Sequence, residues 1–167
     1  TDASDTDQDV AIVINSCTVT GESDRKLRQL LRRVRRSNPR AIIVLTGCMP
    51  QAFPEAAEKY TEADIVLGNA SRSSLSKQIN RYLTLGRRIV DISSHDEKFE
   101  SLAIDEFQGR TRAFVKIEDG CDRYCSYCII PYARGHVRSK PREELALELR
   151  NLANKGFSEI VLVGINL

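Results

Sequence analysis

The sequence predicts an α/β protein that opens with a parallel sheet and continues into the first strand–helix units of a barrel. Three observations support this: short apolar runs alternate with helical patterns over residues 1–92, the alternation stops over 93–109, and it resumes from 110 to 167. Strands alternating with helices are typical of open sheets with right-handed crossovers. A complete (β/α)₈ barrel needs about 250 residues, so we expect the second domain to be truncated.

The first domain begins with the apolar run Val10–Ile14, which predicts a strand buried on both faces. Glu22–Arg36 follows as an amphipathic helix, with leucines at helical spacing on one face and arginines on another. The remaining predicted elements are strand Ala41–Leu45, a helix within Pro54–Tyr60, strand Ala63–Leu67, a helix capped by Ser71 or Ser73 and running through Leu83, and strand Arg88–Ile92.

The second domain repeats the pattern after a polar linker. Ala113–Ile117 predicts a strand, and a cysteine-rich loop follows it. Arg142–Asn154 then carries leucines at helical spacing, Gly156 is suited to the helix C-terminal cap, and Ile160–Val163 predicts the next strand.

Composition excludes few functions. The 167 residues are 41% hydrophobic and 29% charged, as in an ordinary globular protein, and the net charge is only +2, so any RNA contact must come from a local patch. No apolar run approaches the roughly 20 residues that span a bilayer, and the acidic opening Thr1–Asp5 is unlike a secretory signal. We expect a cytoplasmic protein without a membrane partner, whose natural start is missing or processed because residue 1 is Thr.

Five cysteines, an odd number without a secretory signal, favour metal or redox chemistry over disulfides. Cys121, Cys125 and Cys128 lie within eight residues, directly after a predicted strand. Three thiolates can hold three irons of a 4Fe-4S cluster and leave the fourth iron open. The alternative is a zinc site that takes His136 as its fourth ligand, although zinc loops usually begin Cys-x2-Cys.

The spacing Cys-x3-Cys-x2-Cys, with Tyr127 before the last cysteine, resembles the radical-SAM signature. The resemblance implies that the open iron binds S-adenosylmethionine, that a reduced cluster cleaves this cofactor to a 5′-deoxyadenosyl radical, and that Tyr127 lies near the adenine. Gly164 and Asn166 close a predicted strand at the carboxyl edge, where cofactor contacts are often made.

The flanking runs Lys116–Gly120 and Ile129–Gly135 narrow the resemblance to the methylthiotransferases. That family carries three further cysteines in its N-terminal domain, and two of them match Cys17 and Cys48. The resemblance implies that these two hold part of a second 4Fe-4S cluster, whose third ligand lies in an upstream unit that is missing here. Both follow predicted strands, so one sheet edge can bring them together, but two ordinary buried free cysteines would fit the same positions.

The run Ser16–Lys26, together with Ala133–Gly135, most resembles the branch that acts on tRNA bearing N6-threonylcarbamoyladenosine beside the anticodon. The resemblance implies a 2-methylthio product, with sulfur inserted at adenine C2, a second S-adenosylmethionine as methyl donor, and an electron donor as partner. Other branches act on isopentenyladenosine tRNA or on a ribosomal-protein aspartate. The competing class is a non-catalytic zinc-binding RNA module.

Several basic residues have two interpretations. The helix arginines could meet tRNA phosphates or form a solvated face; they are Arg25, Arg28, Arg32, Arg33, Arg35 and Arg36. Arg134 and Arg138 flank the cysteine loop and could contact cofactor, substrate or a structural carboxylate. Lys140 stands where the family often has Arg. Lysine keeps the positive charge but lacks the planar guanidinium group that binds a carboxylate or phosphate through two hydrogen bonds.

Overall fold

The computed structural model describes residues 11–18, 21–95, 99 and 112–165. The chain divides into two compact units, Thr1–Ser94 and His95–Leu167. No helix in the described ranges is both long enough and apolar enough to cross a membrane.

The first unit is a four-stranded parallel sheet with the strands in the order β1-β2-β3-β4. Its elements are β1 Ala11–Ser16, α1 Gly21–Ser37, β2 Ile42–Gly47, α2 Cys48–Ala52, α3 Pro54–Glu58, β3 Ile65–Leu67, a 3₁₀ segment Asn69–Ser74, α4 Leu75–Leu85 and β4 Ile89–Asp91. The predicted open parallel sheet is therefore confirmed, with each main strand and helix close to its expected range.

The sheet carries a core on each face. All six positions of β2 are buried, so its side chains pack against other elements on both faces of the sheet. On one face Leu27 and Leu31 of α1 pack with Ile43 and Leu45, and on the other α4 covers Val44 and its neighbours. Hydrophobic burial on both faces fixes the positions of the strand ends, which carry the cysteines.

The first strand differs from its prediction. It was expected to be buried on both faces, but its residues alternate between buried and exposed, and Val13 is 45% exposed. The reason is that β1 stands at the end of the described strand order and α1 covers only the face of Ile12 and Ile14. β1 therefore has one solvated face.

Two helix details also differ. Cys48 begins a short helix, α2, that the sequence pattern did not predict. The predicted caps Ser71 and Ser73 are wrong, because α4 follows Ser74 and no side chain caps it. The Ser71 hydroxyl is hydrogen-bonded to Asp91 at 3.1 Å instead.

The second unit pairs β5 Arg112–Lys116 in parallel with β8 Glu159–Val163, and α6 Arg142–Asn154 packs Leu152 against Ala113 and Val115. The helix range agrees with its prediction to the residue, and Gly156 follows it with φ +84°, as expected for a C-terminal cap. Between these elements lie three short ones that the sequence did not predict: β6 Glu118–Asp119, α5 Ile130–Arg134 and β7 Arg138–Ser139.

Candidate functional site

Cys17 and Cys48 follow directly after paired residues of two neighbouring strands. β1 and β2 are parallel, and Ser16 lies opposite Gly47 at their carboxyl ends. The hydroxyl of Ser16 donates a 2.7 Å hydrogen bond to the carbonyl oxygen of Thr46, which ties the two ends together. The structure therefore places both cysteines at one edge of the sheet.

The two strand ends approach too closely for a side chain at residue 47. Gly47 has φ +110°, and a Cβ there would lie 2.3 Å from the carbonyl oxygen of Ser16 and 2.6 Å from the Asn15 Oδ1 atom. Only glycine adopts this conformation without strain and leaves the space free. The backbone turn before Cys48 thus depends on Gly47.

The two thiols have different surroundings. Cys48 is 7% exposed, and its Sγ atom lies 3.5 Å from the Nδ2 atom of the buried Asn69, which donates to it. Cys17 is exposed, and the Thr18 hydroxyl beside it donates to Asp24 at 3.0 Å. Asn69 was not predicted as a site residue, although its position just beyond the end of β3 assigns it to the same edge.

The second group of cysteines lies in the loop after β6. The backbone N–H of Cys121 donates to the Gly135 carbonyl at 3.0 Å, and that of Cys128 donates to the Cys125 carbonyl at 2.9 Å. Cys121 is buried, Cys125 is exposed and Cys128 is half-buried. The loop is therefore anchored at its start while its middle faces solvent.

Glycine also permits the anchoring of this loop. Gly120 has φ +83°, and a Cβ there would lie 2.0 Å from the carbonyl oxygen of His136. Tyr124, inside the loop, is the non-glycine residue with positive φ among the described residues, at +44°. The chain thus takes a positive-φ conformation directly before Cys121 and again directly before Cys125.

The donor set of this loop fits an iron-sulfur cluster by its chemistry, because three free thiols stand within eight residues. In the described part of the chain no three His, Cys, Asp or Glu side chains are gathered into a ligand group. Such a group would surround one metal ion, whereas the three thiolates that hold a 4Fe-4S cluster each bind a different iron.

A buried carboxylate supports the start of the loop. Asp119 is bound by the Lys116 ammonium at 2.9 Å, by Arg134 at 3.4 Å and by the Gly120 N–H at 3.0 Å. Burial raises the pKa of Asp119, but the hydrogen bond from Lys116 and the charges of Lys116 and Arg134 outweigh it and lower the pKa below its ordinary value. Arg134 therefore contacts a structural carboxylate, which is one of the roles expected for it.

His136, the residue considered as a zinc ligand, is hydrogen-bonded through one of its two ring nitrogens. His136 Nδ1 lies 2.6 Å from Asp122 Oδ1, and the Val137 N–H donates to the other Asp122 oxygen at 3.2 Å. The hydrogen bond from His136 lowers the pKa of Asp122. Zinc could reach His136 only through Nε2, and the described residues contain no ligand group that includes it.

Two of the three predicted cofactor contacts, Tyr127 and Gly164, lie within the described residues. Tyr127 is 92% exposed, so its ring is available to a ligand, whereas Tyr124 packs edge-on against Tyr132 at 6.0 Å. Gly164 follows β8 directly, beside the Ile117 N–H that donates to Val163 at 2.9 Å. Asn166 lies outside the described residues.

His95 also contacts the turn after the loop, a role that the sequence did not indicate because it lies in the predicted linker. Its Nε2 atom is 3.2 Å from the carbonyl oxygen of Ala133, and a Cβ on Gly135 would lie 2.8 Å from its ring. Burial, with the positive charge of Arg138, lowers the pKa of His95. The His95 ring therefore packs against the Ala133–Gly135 turn.

Several known proteins are similar to this chain over most of its length. Residues 1–68 match the family model described as "Uncharacterized protein family UPF0004". The chain is 41% identical over 93% of its length to the threonylcarbamoyladenosine tRNA methylthiotransferase of Aquifex aeolicus, and 40% over 92% to that of Bacillus subtilis. It is 36% identical over 93% to the tRNA-2-methylthio-N(6)-dimethylallyladenosine synthase of Finegoldia magna. The chain spans only 38%, 35% and 35% of these three relatives.

A solved structure has a similar fold. The radical S-adenosylmethionine methyltransferase TsrM of Kitasatospora setae superposes with a TM-score of 0.61 at 15% identity, over 93% of this chain and 36% of that one. At this identity the likeness concerns the fold alone.

Proposed function

Since the chain belongs to the radical-SAM methylthiotransferase family, we propose that it is part of a tRNA methylthiotransferase. Its substrate would be N6-threonylcarbamoyladenosine beside the anticodon, and its product the 2-methylthio derivative. The observation that carries the proposal is the anchored loop of Cys121, Cys125 and Cys128, which lies in a chain similar to such enzymes over more than nine-tenths of its length.

The relatives with the higher identities support this choice of substrate. Those named threonylcarbamoyladenosine tRNA methylthiotransferases reach 41%, while those named dimethylallyladenosine synthases reach 36%. The difference favours the first substrate, and the isopentenyl type of adenosine is the second candidate. A ribosomal-protein aspartate and a zinc-binding RNA module are supported by no similar protein among those described above.

In this proposal Cys121, Cys125 and Cys128 hold one 4Fe-4S cluster. When bound, that cluster supplies the electron that cleaves S-adenosylmethionine. The exposed Tyr127 ring would contact the adenine of the cofactor, and Gly164 would let the cofactor approach the backbone at the end of β8. Asn166, which lies outside the described residues, is the third proposed contact. Asp119 holds Lys116 and Arg134 at the base of the loop and so keeps Cys121 in place.

Cys17 and Cys48 supply two ligands to a second 4Fe-4S cluster, the source of sulfur for the product. Their shared edge positions the two thiols, and Asn69 donates to the sulfur of Cys48. The third ligand comes from outside the described residues. The proposed partners are tRNA, S-adenosylmethionine and an electron donor, and the proposed location is the cytoplasm.

The direct test incubates the reconstituted protein with S-adenosylmethionine, a reductant and tRNA that carries either threonylcarbamoyladenosine or isopentenyladenosine. Nucleosides from the digested tRNA are then measured by mass spectrometry. A 2-methylthio product from the first tRNA supports the proposal. Product from the second tRNA alone would assign the other branch, and tight stoichiometric zinc with no product would assign the binding module.

The second cluster has its own test. Replacement of Cys121, Cys125 and Cys128 by Ala leaves residual protein-bound iron if Cys17 and Cys48 hold a cluster. Further replacement of Cys48 by Ala then removes that iron. A triple variant without iron would contradict the second site.

A further inference from the structure

A basic groove lies in the first unit between α1 and the segment that connects α3 to β3. It encloses about 420 Å³, and Arg28, Arg32 and Lys59 line it together with Tyr60. Tyr60 is 8% exposed and belongs to the core, so the floor of the groove is fixed. Gly21 is the first residue of α1, and Arg28 lies about 10 Å from it along the helix axis.

The charge along α1 and the segment after it is one-sided, although Glu62 also lines the groove. The sequence contains no Asp or Glu between Asp24 and Glu55, while the same stretch carries eight Lys and Arg residues. The whole chain has a net charge of only +2, so this stretch is far more positive than the average. A merely solvated helix face usually mixes both signs. The local field therefore attracts anions.

Not all of these arginines are available to a ligand. Arg35 is committed to the fold, since it binds Asp64 and the carbonyl oxygens of Ala41 and Glu62. Arg25 is paired with Glu22 at 2.7 Å. Arg28, in contrast, makes no hydrogen bond or ion pair within the described part of the chain, and Arg32 is 69% exposed with a single long contact of 3.4 Å to Glu62.

The arrangement suits a chain of phosphates better than one small anion. Arg28, Arg32 and Arg36 recur every four residues and so form a ridge about 12 Å long on one side of α1. A single phosphate would need only one or two of them. Arginine is also well suited to phosphate oxygens, because its planar group donates two parallel hydrogen bonds.

We propose that this groove, with Arg28 and Arg32 as its main contacts, binds the phosphate backbone of the RNA substrate. The proposal rests on the tRNA substrate proposed above and adds a contact surface outside both cysteine groups. Glu62 stands beside Arg32 as a competing carboxylate. RNA must displace its contact, so removal of this charge should not weaken RNA binding.

The test measures binding of a fluorescent anticodon stem-loop RNA to the reconstituted protein by anisotropy, over a series of salt concentrations. Arg28→Gln/Arg32→Gln should weaken binding about 5- to 20-fold and lower the slope of log affinity against log salt by about 1.4 to 1.8. The matched control is Arg81→Gln/Arg87→Gln, which removes two exposed charges from α4 and the turn after it. It should bind within about 2-fold of the unaltered protein.

Three further measurements separate the alternatives. Glu62→Gln should bind RNA as tightly as the unaltered protein or more tightly. Iron content and reductive cleavage of S-adenosylmethionine should be unchanged in the Arg28/Arg32 variant, which excludes a folding defect. Polyglutamate of equal charge should compete poorly with the RNA. A groove that binds an acidic protein would instead prefer the polyglutamate.

The outcomes distinguish the groove from the function. If the unaltered protein modifies tRNA and the Arg28/Arg32 variant binds RNA equally well, the groove proposal is wrong and the function stands. If RNA binding depends on Arg28 and Arg32 but no tRNA is modified, the groove stands and the function fails. Absence of RNA binding by the unaltered protein, or preference for polyglutamate, would overturn the groove proposal.

Discussion

A Cβ atom on Gly47 would lie 2.3 Å from the carbonyl oxygen of Ser16, its partner in the neighbouring strand. These two residues end the strands that present Cys17 and Cys48. The shared edge therefore depends on a backbone contact that no other residue type allows.

Gly47→Ala should unfold the first unit more readily, by about 2 to 4 kcal/mol, because it adds both a backbone clash and an unfavourable positive φ. Urea denaturation followed by circular dichroism measures the loss. Gly86→Ala is the matched control, since Gly86 also has positive φ but a Cβ there meets nothing within 4 Å. It should cost only about 1 kcal/mol, and equal losses would refute the role of the close contact.

Asn69→Ala should make the Cys48 thiol of metal-free protein react faster with an alkylating reagent, because a buried donor that covers the sulfur is removed. Mass spectrometry of the labelled peptide gives the rate. In the variant that lacks Cys121, Cys125 and Cys128, residual iron should also fall. Asn80→Ala, at an exposed position of α4, should change neither quantity.

Arg35→Lys should destabilise the first unit by about 1 to 3 kcal/mol, because an ammonium cannot reproduce the several hydrogen bonds that Arg35 makes to Asp64 and to backbone carbonyls. Arg33→Lys, on the exposed side of the same helix, should stay within about 0.5 kcal/mol. Thermal unfolding compares the two variants. Similar melting temperatures would show that Arg35 does not hold α1 to the sheet.

Asp119→Asn should make the folding stability of the second unit depend less on pH in the acid range. The folded pKa of Asp119 lies below its ordinary value of 3.8, so its carboxylate stabilises the fold above that pH, and the contribution is lost as pH falls through the lower folded value. Urea midpoints of metal-free protein between about pH 5 and pH 2 should drop for the unaltered chain and less for the variant. Asp122→Asn should change the acid dependence less than Asp119→Asn, because exposure to solvent screens that carboxylate.

The main elements were predictable because burial and helical spacing are local in the sequence. Leu27 and Leu31 mark the inner face of α1, and the uninterrupted apolar run of β2 marks a central strand. The exposure of Val13 was not predictable, because a continuous apolar run does not show which strand stands at an edge. The short β6 and β7 depend on pairing between Glu118 and Ser139, which no local pattern indicates.

The candidate sites were predictable in part. Strand order follows from α/β connectivity, so the shared edge of Cys17 and Cys48 could be expected. The supporting residues could not, since Asn69 and His95 meet their partners 21 and 38 residues away along the chain. The assignment of Tyr127, Gly164, Asn166 and the five cysteines to cofactors remains a prediction.

The central claim, a radical-SAM iron-sulfur enzyme, is tested most directly by iron, sulfide and zinc content with a visible spectrum of anaerobically reconstituted protein, before and after addition of S-adenosylmethionine. We expect brown protein with about four irons per chain or more, and a spectrum that changes when the cofactor is added under reducing conditions. Colourless protein with one zinc per chain and no response to the cofactor would contradict the claim and identify a zinc-binding module.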